Sequence, residues 1–377
     1  MDKKKFRLRA NSDFEVEAII PLRYSFCKDG YVIYGGTLPG SGFQPYYCDG
    51  ITLPEEIDGI PVTELRGTYK NEKIGYIESP CLKRIFICIE GSDSYWSNHE
   101  FVCNAPMLCG GLQETLETME LVFQAKEMRI GSFSENHALT NVSFIGKVLD
   151  NPDWDYGSYN QGIFKGCENL KYVSGNFEGW CLSGSTFEGC KSLISIPDIR
   201  VKYLSDREFY GCESLSTIHL HNGLKSIGSS AFENCRSLKD MYIPDTVSEF
   251  GSFMFRNCIQ LESVHLPDTM TEIQKGMFYG CSRLQKIFLS DDINNIGEEA
   301  FMGCGSLKKL WIPKNLVSIG KRAFCGCISI STIVIPNSVK MIGEDAFKGC
   351  SKLTIKCCSG SVAHQYAQKN GIPFLLF

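Results

Sequence analysis

A chain of 377 residues, 43% hydrophobic and 21% charged, is long enough to bury a large core, and this composition excludes disorder as its main state. A formal net charge of -5 offers phosphate backbones and anionic membranes no general attraction, so nucleic acid is not expected as a partner. No run approaches the ~20 apolar residues that span a bilayer, so no membrane span is expected.

The basic start, Lys3, Lys4, Lys5, Arg7 and Arg9, could open a secretory signal, but Asp13, Glu15 and Glu17 stand where its apolar core would lie. It reads as a solvated tail. Residues 1–75 fit no repeat cleanly, although GITLPEEIDGIPVTEL (Gly50 to Leu65) has the strand, proline, turn, strand order of one copy; they read as an N-terminal cap. Residues 76–163 read as degenerate repeats: Leu82 opens LKRIFI, Leu116 opens LETMEL and Leu139 opens LTNVSF, with Phe133 and Asn136 in places later held by Phe and Cys. Two insertions interrupt them, at 89–115, which carries Tyr95, Trp96 and His99, and at 150–162, DNPDWDYGSYNQG; both are expected to form surface loops.

From 164 to 353 the repetition is regular. Cys167, Cys190, Cys212, Cys235, Cys258, Cys281, Cys304, Cys327 and Cys350 follow at 22 or 23 residues, each with a phenylalanine three residues before it, from Phe164 to Phe347. One copy reads L-x-x-I-x-[IL]-P-x-x-V-x-x-I-G-x-x-A-F-x-x-C. Alternating Leu and Ile mark a short strand buried on one face, Pro and the I-G step turn the chain, and A-F-x-x-C suits a helical or 3₁₀ turn. A single copy buries about six apolar side chains at roughly 2 kcal/mol each, too little to order 23 residues at ~1–2 kcal/mol apiece. Copies must therefore stack into a solenoid with a parallel sheet. Residues 354–377 break the pattern: SVAHQYAQKN predicts a short helix and GIPFLLF an extended segment, together a C-terminal cap.

IPNSVKMIGEDAFKGCSKL and IPKNLVSIGKRAFCGCISI resemble the BspA-like leucine-rich repeat family, and GSVAHQYAQKNGIPF is similar to its usual ending. The resemblance covers Leu116 to Phe377 and, loosely, Gly50 to Thr115. It implies a right-handed leucine-rich-repeat superhelix, strand-dominated α/β, with a parallel concave sheet and short turns on the other side. It further implies adhesion or protein binding at a cell surface or in secreted form. The sequence as written, without a leader, instead points to a cytoplasmic location.

The repeat cysteines could be disulfides, metal ligands or a buried thiol ladder. Stacked side chains point the same way with Cβ atoms about 4.8 Å apart, whereas a disulfide needs ~3.8 Å and converging bonds, and a row supplies too few ligands for a metal. The ladder is expected, and no metal or other cofactor. Asp153, Asp155 and Gly157 are a poor match to a calcium loop, and His99-Glu100 lacks the second histidine of a zinc protease. No catalytic residue is assigned.

What varies between the buried positions should face outward. Four residues after each opening Leu the column runs Ser174, Pro197, His219, Tyr242, His265, Phe288, Trp311, Val334, Cys357; two residues after it, Tyr172, Ser195, Thr217, Asp240, Ser263, Lys286, Lys309, Thr332, Ile355. His219, Tyr242, His265, Phe288 and Trp311, with Lys286 and Lys309, are the candidate partner-binding residues. Sheet packing is the alternative role of the aromatics, since such side chains stack well on strands. The function predicted is a non-enzymatic scaffold, a monomer that binds a protein or glycan. A self-assembly module and an enzyme built on insertion residues such as His99 are the competing readings.

Overall fold

The computed structural model describes the strands between residues 6 and 123, residues 135–147 except 136, residue 162, residues 164–176, and residues 184–377 except 199, with backbone alone in the strands before 124 and at 144–147 and 176. Residues 91–115 and 150–161 of the two insertions, with Phe133, Asn136, Trp96, His99, Asp153, Trp154, Asp155 and Gly157, lie outside the described residues. Contacts divide the chain into two compact units, Met1–Pro197 and Asp198–Phe377.

In the first unit the degenerate copies form a sheet in the order Tyr172–Asn176, Asn141–Lys147, Thr118–Phe123, Arg84–Glu90, Ile60–Lys70, Gly30–Tyr34, Arg23–Cys27. Its neighbours along this path run parallel, apart from the antiparallel pair formed by its last two strands. Thr118 pairs with Asn141 on one side and with Arg84 on the other, so the three segments opened by Leu82, Leu116 and Leu139 lie side by side. Phe187 stacks on Phe164 with centroids 5.7 Å apart.

The second unit shows three kinds of backbone ladder where the sequence predicts one strand and two turns, and the strand ladder is interrupted: no pairing joins Lys286–Ile287 to the copy of Lys309 and Trp311 among the described residues. One ladder joins the strands opened by the repeat leucines: Asp240–Tyr242, Ser263–His265 and Lys286–Ile287 pair in parallel at a register of 23 residues. A second joins Glu272–Ile273, Asn295–Ile296, Ser318–Ile319 and Met341–Ile342, followed by Gln274 in the first copy and by glycine in the other three. Successive backbones approach closely at those glycines; a Cβ on Gly320 would lie 2.5 Å from the amide nitrogen of Glu298, and one on Gly343 2.4 Å from that of Lys321.

The third ladder runs through A-F-x-x-C. Short i to i+3 bonds tighten it, such as Cys281 N–H to the Phe278 carbonyl at 3.1 Å. Left-handed residues interrupt it copy after copy, so it is a string of turns and not a 3₁₀ helix: Ser230, Phe253, Gly276, Glu299, Arg322 and Asp345 all have φ between 54° and 58°. The left-handed twist aims amides at the following copy. Ser230, Phe232 and Asn234 donate to the carbonyls of Ser252, Met254 and Arg256 at 2.8–2.9 Å, and the set recurs at Phe253, Phe255 and Asn257. Backbone donors that a turn would leave orphaned are thus paired between copies.

The core between these ladders is a set of columns. The rings from Phe209 to Phe347 stack with centroids 5.2–5.7 Å apart and planes within 15° of parallel. At the far end the helix Val362–Lys369 sets Tyr366 edge-on against Phe347, at 6.0 Å and 70°, and the Tyr366 hydroxyl accepts the Phe347 N–H at 3.3 Å. Ser361 caps this helix by accepting the His364 N–H, and the strand Phe374–Leu376 pairs with Thr354–Cys357.

Candidate functional site

Each copy of the second unit fixes the direction of its outer side chains by burying every second residue. Lys309 and Trp311 are exposed while Leu310 and Ile312 between and after them are buried, and the same alternation holds from Asp240 to Ile243 and from Ser263 to Leu266. All seven candidate residues, His219, Tyr242, His265, Lys286, Phe288, Lys309 and Trp311, are exposed: Tyr242, His265 and Lys286 on the strands of the strand ladder, the other four at matching positions of their copies outside its paired strands.

Their surroundings differ along the row. Tyr242 stacks flat on His265, 4.7 Å between centroids and 3° from parallel, so these two rings cover each other's faces and present edges. Below them the Ser263 hydroxyl donates to the Asp240 carboxylate. Phe288 and Trp311 are 81% and 74% exposed and make no ring contact among the described residues, which leaves their faces in solvent. Lys286 and Lys309 flank them without an ion pair among the described residues.

At its end the row departs from the sequence reading. Cys357 and Ile355 are buried, not outward. Thr332 pairs with Thr354 and Val334 with Lys356, a register of 22 in place of 23, so Thr354 and Lys356 continue the two columns. The cause is visible in LTIKC: Leu353, Ile355 and Cys357 alternate strictly, one residue shorter than the L-x-x-I-x-I of the earlier copies. In the first unit Tyr172 and Ser174 are exposed on either side of buried Val173.

The repeat cysteines have a defined role in the core. The thiols of Cys190, Cys235, Cys258, Cys281, Cys304, Cys327 and Cys350 each donate to the phenylalanine carbonyl of the preceding copy, as Cys281 to Phe255 at 3.0 Å and Cys304 to Phe278 at 3.1 Å, filling the second lone pair of an oxygen that already accepts a backbone N–H. The twelve described cysteines are free thiols. Burial raises the thiols of Cys235, Cys258, Cys281 and Cys304 well above their ordinary value near 9, and neighbouring thiols of the column add to the shift. Cys350, nearer the surface, is pushed up to about 11, again by burial. Such thiols are inert donors, not nucleophiles. Among the described residues no three His, Cys, Asp or Glu side chains converge where a metal could sit, and no helix is long and apolar enough to cross a membrane.

Stacked 23-residue coils with a parallel strand ladder, a glycine-bearing turn ladder and a capped end define a leucine-rich-repeat solenoid. The description BspA type Leucine rich repeat region (6 copies) matches residues 156–258 and 225–354, and the chain belongs to that family. Among solved structures, a leucine-rich repeat protein from Bacteroides ovatus is similar at 22% identity and a TM-score of 0.52, over 97% of this chain and 100% of that one. One from Eubacterium ventriosum (17%, TM-score 0.41, 87% and 92% covered) and the pneumococcal vaccine antigen PcpA (14%, TM-score 0.39, 95% and 97% covered) are more distant. No curated protein matches.

Proposed function

We propose that this protein is a non-enzymatic binding scaffold whose partner, a protein or a glycan, docks on the outer face of the second unit's strands. The observation that carries this reading is the pair Phe288 and Trp311, large rings held with 81% and 74% exposure between the buried residues Ile287 and Leu289, and Leu310 and Ile312. Exposed rings in a row cost solubility and lend little to folding, whereas rigid aromatic anchors dominate interfaces. A solenoid also offers an extended face suited to long partners. Convergent acids, bases or nucleophiles, which an enzyme would need, do not occur among the described residues of this face.

The test is binding of the intact protein to protein and glycan arrays, run beside a Tyr242→Ala/Trp311→Ala variant with an unchanged melt. Loss of the parent's signals supports the face; signals retained in full by the variant overturn it.

A further inference from the structure

We infer that the partner of this face is an acidic polypeptide segment in extended form, carrying an acidic residue and an aromatic or aliphatic residue two positions apart; this rests on the scaffold reading above. The first ground is charge. Lys286 and Lys309 hold the same position in neighbouring copies, whose buried rings Phe278 and Phe301 stack 5.3 Å apart, and Lys308 is exposed beside them. None of the three has an ion pair among the described residues. The acids of the surrounding strands are engaged elsewhere: Asp240 accepts the Ser263 hydroxyl, Glu262 lies 3.9 Å from Arg283, and Asp291 is held by Lys314 at 2.9 Å. Like charges this close repel, and a carboxylate placed between them relieves that repulsion.

The second ground is spacing. In each of the two copies the lysine and the ring are two residues apart on an extended segment, Lys286 with Phe288 and Lys309 with Trp311, hence roughly 6.6 Å apart on the same face. That is the distance between alternate side chains of any extended peptide. A bound strand lying along the copy's strand direction therefore sets an acid over the lysine and an apolar side chain over the ring with no distortion. Two such strands joined as a hairpin repeat the match across both copies, because hairpin strands and stacked coils share the same separation. A glycan chain has no such acid-to-ring period, and an anionic polysaccharide is the competing class.

The probe is a cyclic peptide with two Asn-Gly turns, Glu-Thr-Phe-Thr-Asn-Gly-Thr-Phe-Thr-Glu-Asn-Gly, labelled for fluorescence anisotropy and titrated with the intact protein. Its comparison compounds carry Lys for Glu or Ser for Phe, and polygalacturonate serves as the anionic glycan. The inference requires binding that weakens with salt and is at least ~10-fold weaker for either comparison peptide. It also requires a loss of the same order in Lys286→Glu/Lys309→Glu and in Phe288→Ala/Trp311→Ala, but not in the equally charged control Lys340→Glu/Lys352→Glu. All variants are checked by thermal melt, and any that melts early is replaced by Lys286→Gln/Lys309→Gln or Phe288→Leu/Trp311→Leu. Absence of binding, or binding indifferent to the lysine pair, overturns the acidic-peptide assignment. Should array signals still depend on Trp311 in that case, the face stands and the partner class falls; preferred binding of polygalacturonate has the same meaning.

Discussion

The repeat cysteine is chosen for a combination that no other small side chain offers: an apolar volume that fills a column and an S–H that reaches a carbonyl one copy back. Cys281→Ala should lose both and cost about 1–2 kcal/mol, measured by denaturant unfolding. The raised thiols also give the fold a pH dependence whose sign is fixed. Above about pH 9 the unfolded chain loses thiol protons that the folded chain retains, so the unfolded state binds fewer protons and stability falls as pH rises, until the folded thiols themselves ionise. Stability should decline between pH 9 and 11, and the slope should be shallower in Cys258→Ala; equal slopes would remove the thiols from the account. Of the twelve cysteines whose side chains are described, only the partly exposed Cys325 and Cys358 should label quickly with a maleimide in the native state, as mass mapping can show. The left-handed positions allow a gain. At φ 55° Ser230 bears a strain of ~1–2 kcal/mol that glycine lacks, offset by the ~0.5–1 kcal/mol of chain entropy that glycine loses, so Ser230→Gly should stabilise slightly. Gly320→Ala, with no room for its methyl, should destabilise by roughly 1–3 kcal/mol.

At the scale of the element, the buried column and the outer row belong to the same coils yet should respond oppositely. Phe278→Ala opens a gap in a stack whose neighbours sit at 5.7 and 5.3 Å, and should cost roughly 3–5 kcal/mol. Tyr242→Ala/Trp311→Ala should lower the melt far less, chiefly through the lost stack on His265. The alternation of the strands and the lock-step of Phe and Cys are legible in the sequence because each position recurs from copy to copy, and chance variation cannot hide a column. The second and third ladders are not legible there. They are made by backbone groups, and the paired residues are as unlike as Glu272, Asn295 and Ser318, or the left-handed ones as Phe253, Glu299 and Arg322, so the recurrent I-G step reads as a turn and does not show the pairing. The register change at Thr354 is written in the strict alternation of LTIKC, but the unbroken 23-residue spacing of the opening positions Ile330 and Leu353 masks it. Whether the outer row binds is not a question of periodicity; its composition only proposes a chemistry.

In the second unit, stability should be distributed copy by copy, since each coil touches its neighbours through the unbroken phenylalanine column and the turn ladder. Removing Ser359–Phe377 should then strip the cover from one end only. Phe347 and the last coil would meet water, and the expected result is aggregation or fraying that starts there, seen as faster amide exchange in the copy around Phe347 than around Phe255. A truncated protein as soluble and heat-stable as the parent would make the segment dispensable.

The turn ladder has one further property. Its amide bonds between copies all donate toward the following copy, opposite to those of the repeat glycines, so this one ladder is polar along its length, with spare donors at its last copy. The hydroxyl of Tyr366, taking the amide of Phe347, occupies a donor that would otherwise invite another coil. The end of the ladder is therefore closed by side-chain chemistry where every earlier copy uses backbone: with Phe in place of Tyr366 the edge-on ring contact survives, but the Phe347 amide loses its acceptor.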